Sequence, residues 1–212
     1  MNAKQRRKQL EKLGGWRQFA FLLALAERAF PNFALFAELT GVEHGDRFRA
    51  GLDSAWSMLE KKDHNVDPLQ LLARLETVQP DPQQYDFFGV RPALDAWQLL
   101  EQALLCHVNP DRGRAVEGAS LALETVVTFI EVSEGEGLDE NELVKLLDRH
   151  ELIHAETGFQ EALLELLRSS KAPAVEVVAQ LRAMAENEGV SNLGLATPER
   201  WQADMSRGDG GA

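Results

Sequence analysis

The 212-residue chain carries 34 acidic and 22 basic residues for a formal net charge of -12, a balance that repels nucleic acid and anionic lipid and leaves both outside the expected partners. A chain of this length buries a sizeable apolar core without cross-links, and the single Cys106 permits no internal disulfide. One thiol, no amino-terminal signal pattern and no long charge-free apolar run point to a cytoplasmic protein.

The apolar period is helical throughout, with no alternating β-branched run. The expected fold is all-α: a single-domain bundle of about eight helices with no significant sheet, spanning residues 1–196. The tail, 197–212, loses its apolar period and is expected to be mobile. Residues 3–13 read as a short amphipathic helix that stops at Gly14-Gly15, and "KQRRK" at 4–8 is its solvated side. Residues 16–30 are apolar on nearly every side, the mark of a buried helix. Their most apolar run, "FAFLLALA" at 19–26, is flanked by Arg17 and Glu27 and falls short of the roughly 20 residues a membrane span needs. Pro31 is expected to break the chain there and to open a separate helix to Gly41.

A helix over 46–62 places Phe48, Leu52, Ala55, Trp56 and Leu59 on one face. Asp67-Pro68 reads as an N-cap followed by a first-turn proline. The segment 79–92, "QPDPQQYDFFGVRP", is an ordered loop. Pro92 opens a helix to about 107, and Asn109-Pro110 opens a long one to about 134. One helix or a pair covers 139–169, and Pro173 starts the last, ending near Gly189.

Four stretches, "ERAFPNFALFAELTG" at 27–41, "YDFFGVRPALDA" at 85–96, "SLALETVVTFIE" at 120–131 and "SNLGL" at 191–195, resemble in order and spacing the YjaG-like bacterial proteins, over about residues 10–195. The resemblance implies an all-helical single domain without an established activity. It also implies, through genome neighbourhood, a link to histidine-kinase signalling. The pattern of that family includes no zinc motif at 150–154.

Such a motif is nevertheless present in "RHELIHAE", where His150, Glu151 and His154 form H-E-x-x-H. On one helix the two histidines would share a face and could ligate zinc while Glu151 polarised a water, which makes a metal-dependent hydrolase the alternative function. A third ligand is wanting: Thr157 and Gln160 occupy the positions where the longer motif has glycine and histidine, and Glu176 lies beyond Pro173. Glu151 and His154 are also half of a di-iron carboxylate motif, but no second E-x-x-H exists. "HEL" likewise lacks the arginine and proline that follow it in kinase phosphoacceptor boxes. The plainer reading puts Leu143, Leu146, Leu147, His150, Ile153 and His154 along one helix side, with Phe159, Leu163 and Leu166 opposite. That pattern requires a break near Gly158 or burial on two faces.

Chemistry is expected elsewhere. Glu27 shares an apolar face with Trp16, Ala20, Leu23 and Phe30, so it is either paired, for example with Arg91, or placed at a pocket edge. The loop of Tyr85, Asp86, Gly89 and Arg91 leads into a helix whose first turn carries Asp95. Glu117, Glu124 and Glu131, with Ser120 and Thr128, form a polar stripe expected to be a solvated face. No Ser/His/Asp order, glycine-rich phosphate loop or Cys/His cluster appears. The expected function is therefore binding of a protein or small-molecule partner without a cofactor. The expected surface comprises Glu27, Arg28, Asn32, Tyr85, Asp86, Asp95 and Glu124, and the oligomeric state is left open.

Overall fold

The computed structural model describes residues 1–41, 44–61 and 66–197; the tail expected to be mobile falls almost wholly outside them. Among the described residues there are nine α-helices: α1 Ala3–Leu10, α2 Trp16–Thr40, α3 Gly45–Lys61, α4 Pro68–Glu76, α5 Val90–Val108, α6 Arg114–Glu134, α7 Glu140–Arg149, α8 Glu151–Ser169 and α9 Val175–Glu186. A 3-10 turn over Asn187–Gly189 follows. Extended pairing among the described residues is limited to one bridge between Val190 and Ala196.

The centre of the bundle is α2, which packs against α3, α5, α6, α8 and α9. Ala20, Phe21, Leu22, Leu23 and Ala24 follow one another with no exposure at all, so every side of the helix meets protein. By length and composition α2 is apolar enough to cross a bilayer, and 83% of its most apolar window is buried inside this fold. Pro31 does not end it: the helix runs through the proline for 25 residues. A mid-helix proline forfeits a backbone hydrogen bond and crowds the preceding turn, at roughly 3 kcal/mol. Continuity offsets that cost by carrying Asn32, Phe33, Phe36 and Ala37 into the core on the same axis. Close approach of α6 to α2 depends on Gly118, where a Cβ would collide with Leu22.

Other boundaries follow side-chain caps. Asp67 accepts from the Leu69 amide at 2.9 Å and starts α4 at Pro68, as expected. The helix expected from Pro110 instead begins at Arg114, because Asp111 accepts from the Gly113 amide at 2.7 Å and holds residues 109–113 in a turn. Asp139 and Glu142 form a capping box at the start of α7. Residues 139–169 are a pair of helices, but the break is at His150 and not near Gly158, which lies inside α8. Arg17 closes the far end of α8 by donating to the carbonyls of Leu167 and Ser170 at 2.8 and 2.7 Å.

The main core draws on α2, α3, α5, α8 and α9. A small second one joins Val126 and Ile130 of α6 to Leu193 of the final turn, with Leu146 and Leu147 of α7 and Leu152 of α8 around them.

Candidate functional site

The residues expected to form one functional surface occupy three separate neighbourhoods. In the first, Glu27 of α2 is 3% exposed and meets α3. It accepts from Arg49 through both carboxylate oxygens and from the Trp56 indole at 2.7 Å. Its partner is thus Arg49 and not Arg91, which lines a cleft with Asp95 and Glu124 instead. Arg49 also reaches Asp53, which in turn accepts from Arg182 of α9.

The second neighbourhood lies on the other side of α2. Arg28 approaches Glu156 of α8 with 3.4 Å between Nε and Oε2, and its guanidinium stands 4.5 Å from the centre of the Phe159 ring. Gln160 donates to Glu156 at 2.8 Å and to the Ala119 carbonyl at 3.0 Å. One turn on from Arg28, Asn32 donates to Asn192 at 2.9 Å, and Asn192 donates to the Ala122 carbonyl. Burial pushes the Glu156 carboxyl above its ordinary pKa, and the bond from Gln160 and the charge of Arg28 offset this only in part.

The third neighbourhood is open to solvent. The start of α5 and the middle of α6 form a cleft of about 380 Å³ lined by Phe88, Arg91, Asp95, Leu121, Glu124 and Thr125, among others. Thr125 is buried and donates to Asp95 Oδ2 at 2.8 Å, sharing its hydroxyl proton with the Leu121 carbonyl at 2.9 Å. Burial raises the Asp95 pKa, Thr125 lowers it, the charge of Glu124 raises it and that of Arg91 lowers it. Arg91 is exposed and forms no ion pair among the described residues. The cleft therefore offers an anionic pair, a free guanidinium, hydroxyls and an apolar wall within one concavity. Of the expected residues it gathers Asp95 and Glu124. Tyr85 instead packs edge-on against Phe36 at 5.1 Å, pinning the loop to α2, and Asp86 is exposed beside it. Glu117, Glu124 and Glu131 are all exposed, so the stripe is a solvated face with Glu124 at the cleft edge.

The H-E-x-x-H segment loses its geometric basis. His150 has extended backbone and caps α8, its Nδ1 accepting from the Leu152 amide at 3.2 Å while Nε2 meets Glu134 at 3.1 Å. His154 is exposed one turn inside α8. The histidines thus do not lie four apart on one helix, and the described residues contain no cluster of three or more His, Cys, Asp or Glu able to hold a metal. His150→Ala is expected to lower the unfolding free energy by about 1 kcal/mol through loss of the cap. His154→Ala should stay within about 0.5 kcal/mol. Denaturant titrations with and without zinc check this: equal, zinc-dependent losses in both variants would return the pair to a metal.

The four resembling stretches converge in space. Asn32, Ala122 and Asn192 join three of them in one hydrogen-bonded chain, and Asp95 with Thr125 joins the fourth to α6. The model of a family described as "Protein of unknown function (DUF416)" matches residues 5–196. The chain belongs to the DUF416 family. An uncharacterised protein of Haemophilus influenzae is 32% identical over 89% of this chain and 95% of its own length. The uncharacterised protein YjaG of Escherichia coli is 29% identical, over 88% of this chain and 93% of its own. A crystal structure of a DUF416 protein from Shewanella baltica is similar with a TM-score of 0.82 and 27% identity, covering 90% of this chain and 98% of that one. The DUF416 fold thus extends over almost everything described above, and its relatives name no activity.

Arg49, Trp56, Glu156, Gln160 and Asn192 were not expected at these clusters. A signal existed for two of them. Once α8 is taken to start at 151, Glu156 and Gln160 fall at helical spacing among Phe159, Leu163, Leu164 and Leu167, a polar pair inside a buried stripe.

Proposed function

We propose that this DUF416 protein is a cytoplasmic binding protein whose site is the α5–α6 cleft. Its ligand is a small molecule or chain end carrying both an ammonium and a carboxylate group. The observation that supports this reading is Asp95, a half-buried carboxylate anchored by Thr125 on one oxygen and lining a cleft that also holds the unpaired guanidinium of Arg91. A ligand ammonium would face Asp95 and Glu124, its carboxylate would take the forked donors of Arg91, and its apolar part would rest on Phe88 and Leu121. The family resemblance points to a histidine-kinase system as the class of partner through which an occupied cleft would act.

Thermal denaturation of the full chain in the presence of each free amino acid and a set of dipeptides tests the reading. A ligand at a hundredfold excess over its Kd stabilises by about 2.7 kcal/mol, a rise of about 5–10 °C for a chain of this size. Asp95→Asn and Arg91→Ala should each abolish the rise. No stabilising compound, or one whose effect survives both substitutions, would sink it.

A further inference from the structure

A second hollow, unrelated to the α5–α6 cleft, lies at the other end of α5, about 18 Å from Asp95 along the helix. Here the chain enters α2 and α4, leaves α3 and α5, and approaches α9, and these ends surround a space of about 690 Å³. The size is that of a small-molecule site. Its walls are the rings of Trp16 and Phe19 and the aliphatic side chains of Met58, Leu59 and Val66. Pro68, Pro110 and Pro173 stand at its rim, where their fixed φ holds the opening in shape and lowers the ordering cost of binding.

The polar lining is sparse and specific. Cys106 donates to Gln18 Oε1 at 3.0 Å, and burial pushes its thiol up to about 11, so it is neutral and already committed. His107 is different: it is exposed, its ring leans on Phe19 with 5.2 Å between centres, and neither nitrogen is hydrogen-bonded among the described residues. In a chain of net charge -12, no carboxylate lines this hollow among the described residues.

We infer that this hollow is a second binding site, for a compact uncharged aromatic molecule whose rings stack between Trp16, Phe19 and Met58 and whose single hydrogen-bonding group meets the free imidazole of His107. Aromatic faces recognise a flat apolar body. The imidazole fixes its orientation, since it can give or accept one hydrogen bond according to tautomer.

The experiment uses N-phenyl-1-naphthylamine, a neutral fluorescent diaryl amine, with the full chain. The expected result is saturable one-to-one fluorescence enhancement. Val66→Trp, which fills the hollow, should weaken it at least about tenfold, and His107→Ala about fivefold, the effect of one hydrogen bond. The control Asp95→Asn should bind as the unaltered chain does. With methionine methyls labelled by carbon-13, the probe should shift the Met58 resonance well beyond that of Met184, a readout that needs no substitution to fold. Absence of saturable binding, an unmoved Met58, or affinity undiminished in a folded Val66→Trp variant would overturn the inference. So would binding seen only after Trp201→Ser, which would make the chain's own carboxy-terminal segment the occupant.

Discussion

Glu27→Ala is expected to lower the unfolding free energy by about 3–5 kcal/mol, the range for removing one partner of a buried ion pair. For a chain of about 200 residues this is a fall in Tm of about 6–20 °C. The substitution leaves two stranded groups. Arg49 loses a bidentate acceptor, although its guanidinium stays over the Phe30 ring at 4.8 Å and keeps Asp53. Trp56, which has no exposure, loses the acceptor for its indole N–H and cannot turn to water. Glu27→Gln retains one oxygen acceptor at the same place and should cost less, about 1–3 kcal/mol. The order of the two variants in chemical denaturation is the decisive readout. If alanine costs no more than glutamine, the carboxylate does not join α2 to α3 in the way the geometry requires.

The same residue shows where sequence reading succeeds and where it stops. That Glu27 must be either paired or set at a pocket edge was legible, because an ionised group amid Trp16, Leu23 and Phe30 cannot stay buried alone. That its partner is Arg49 was not, since nothing local fixes which arginine of a different helix arrives within reach. Helix type was legible from the 3.6 period, and the start of α4 from Asp67-Pro68. Pro31 misled because its local penalty is real but smaller than the packing that α2 gains by continuing. His150 misled in the opposite direction: the apolar period runs straight across it, while a single capping contact divides the segment into α7 and α8. The α5–α6 cleft was half legible, through Asp95 and Glu124 but not Thr125. The hollow around His107 was not legible at all, since its wall comes from helix ends scattered from Trp16 to Pro173.

Arg28→Ala carries the second large effect and a distinctive pH signature. Glu156 is 1% exposed, and its pKa lies above the ordinary carboxylate value because burial outweighs the bond from Gln160 and the charge of Arg28. Arg28 is in turn lowered, again by burial first, with Glu156 opposing. A carboxyl whose pKa is raised on folding binds its proton more tightly in the native state. Its contribution is therefore complete at low pH and is lost as pH rises from the unfolded value through the raised one. Removing Arg28 takes away one of the influences that offset burial, beside the Gln160 bond and the charge of Arg6, so the loss with rising pH should steepen. At neutral pH the variant should be less stable by about 3–5 kcal/mol, and acidification should recover part of this as Glu156 protonates. Glu156→Gln should flatten the profile relative to the unaltered chain, and the difference between the two curves isolates this group from Asp95 and Glu101, which burial also raises. Replacing both partners with apolar residues, Arg28→Met with Glu156→Leu, should come out near neutral, because each ion then escapes its desolvation cost. A pH-independent loss in Arg28→Ala would mean that Glu156 does not titrate against Arg28, and that the pair holds α2 to α8 by shape alone.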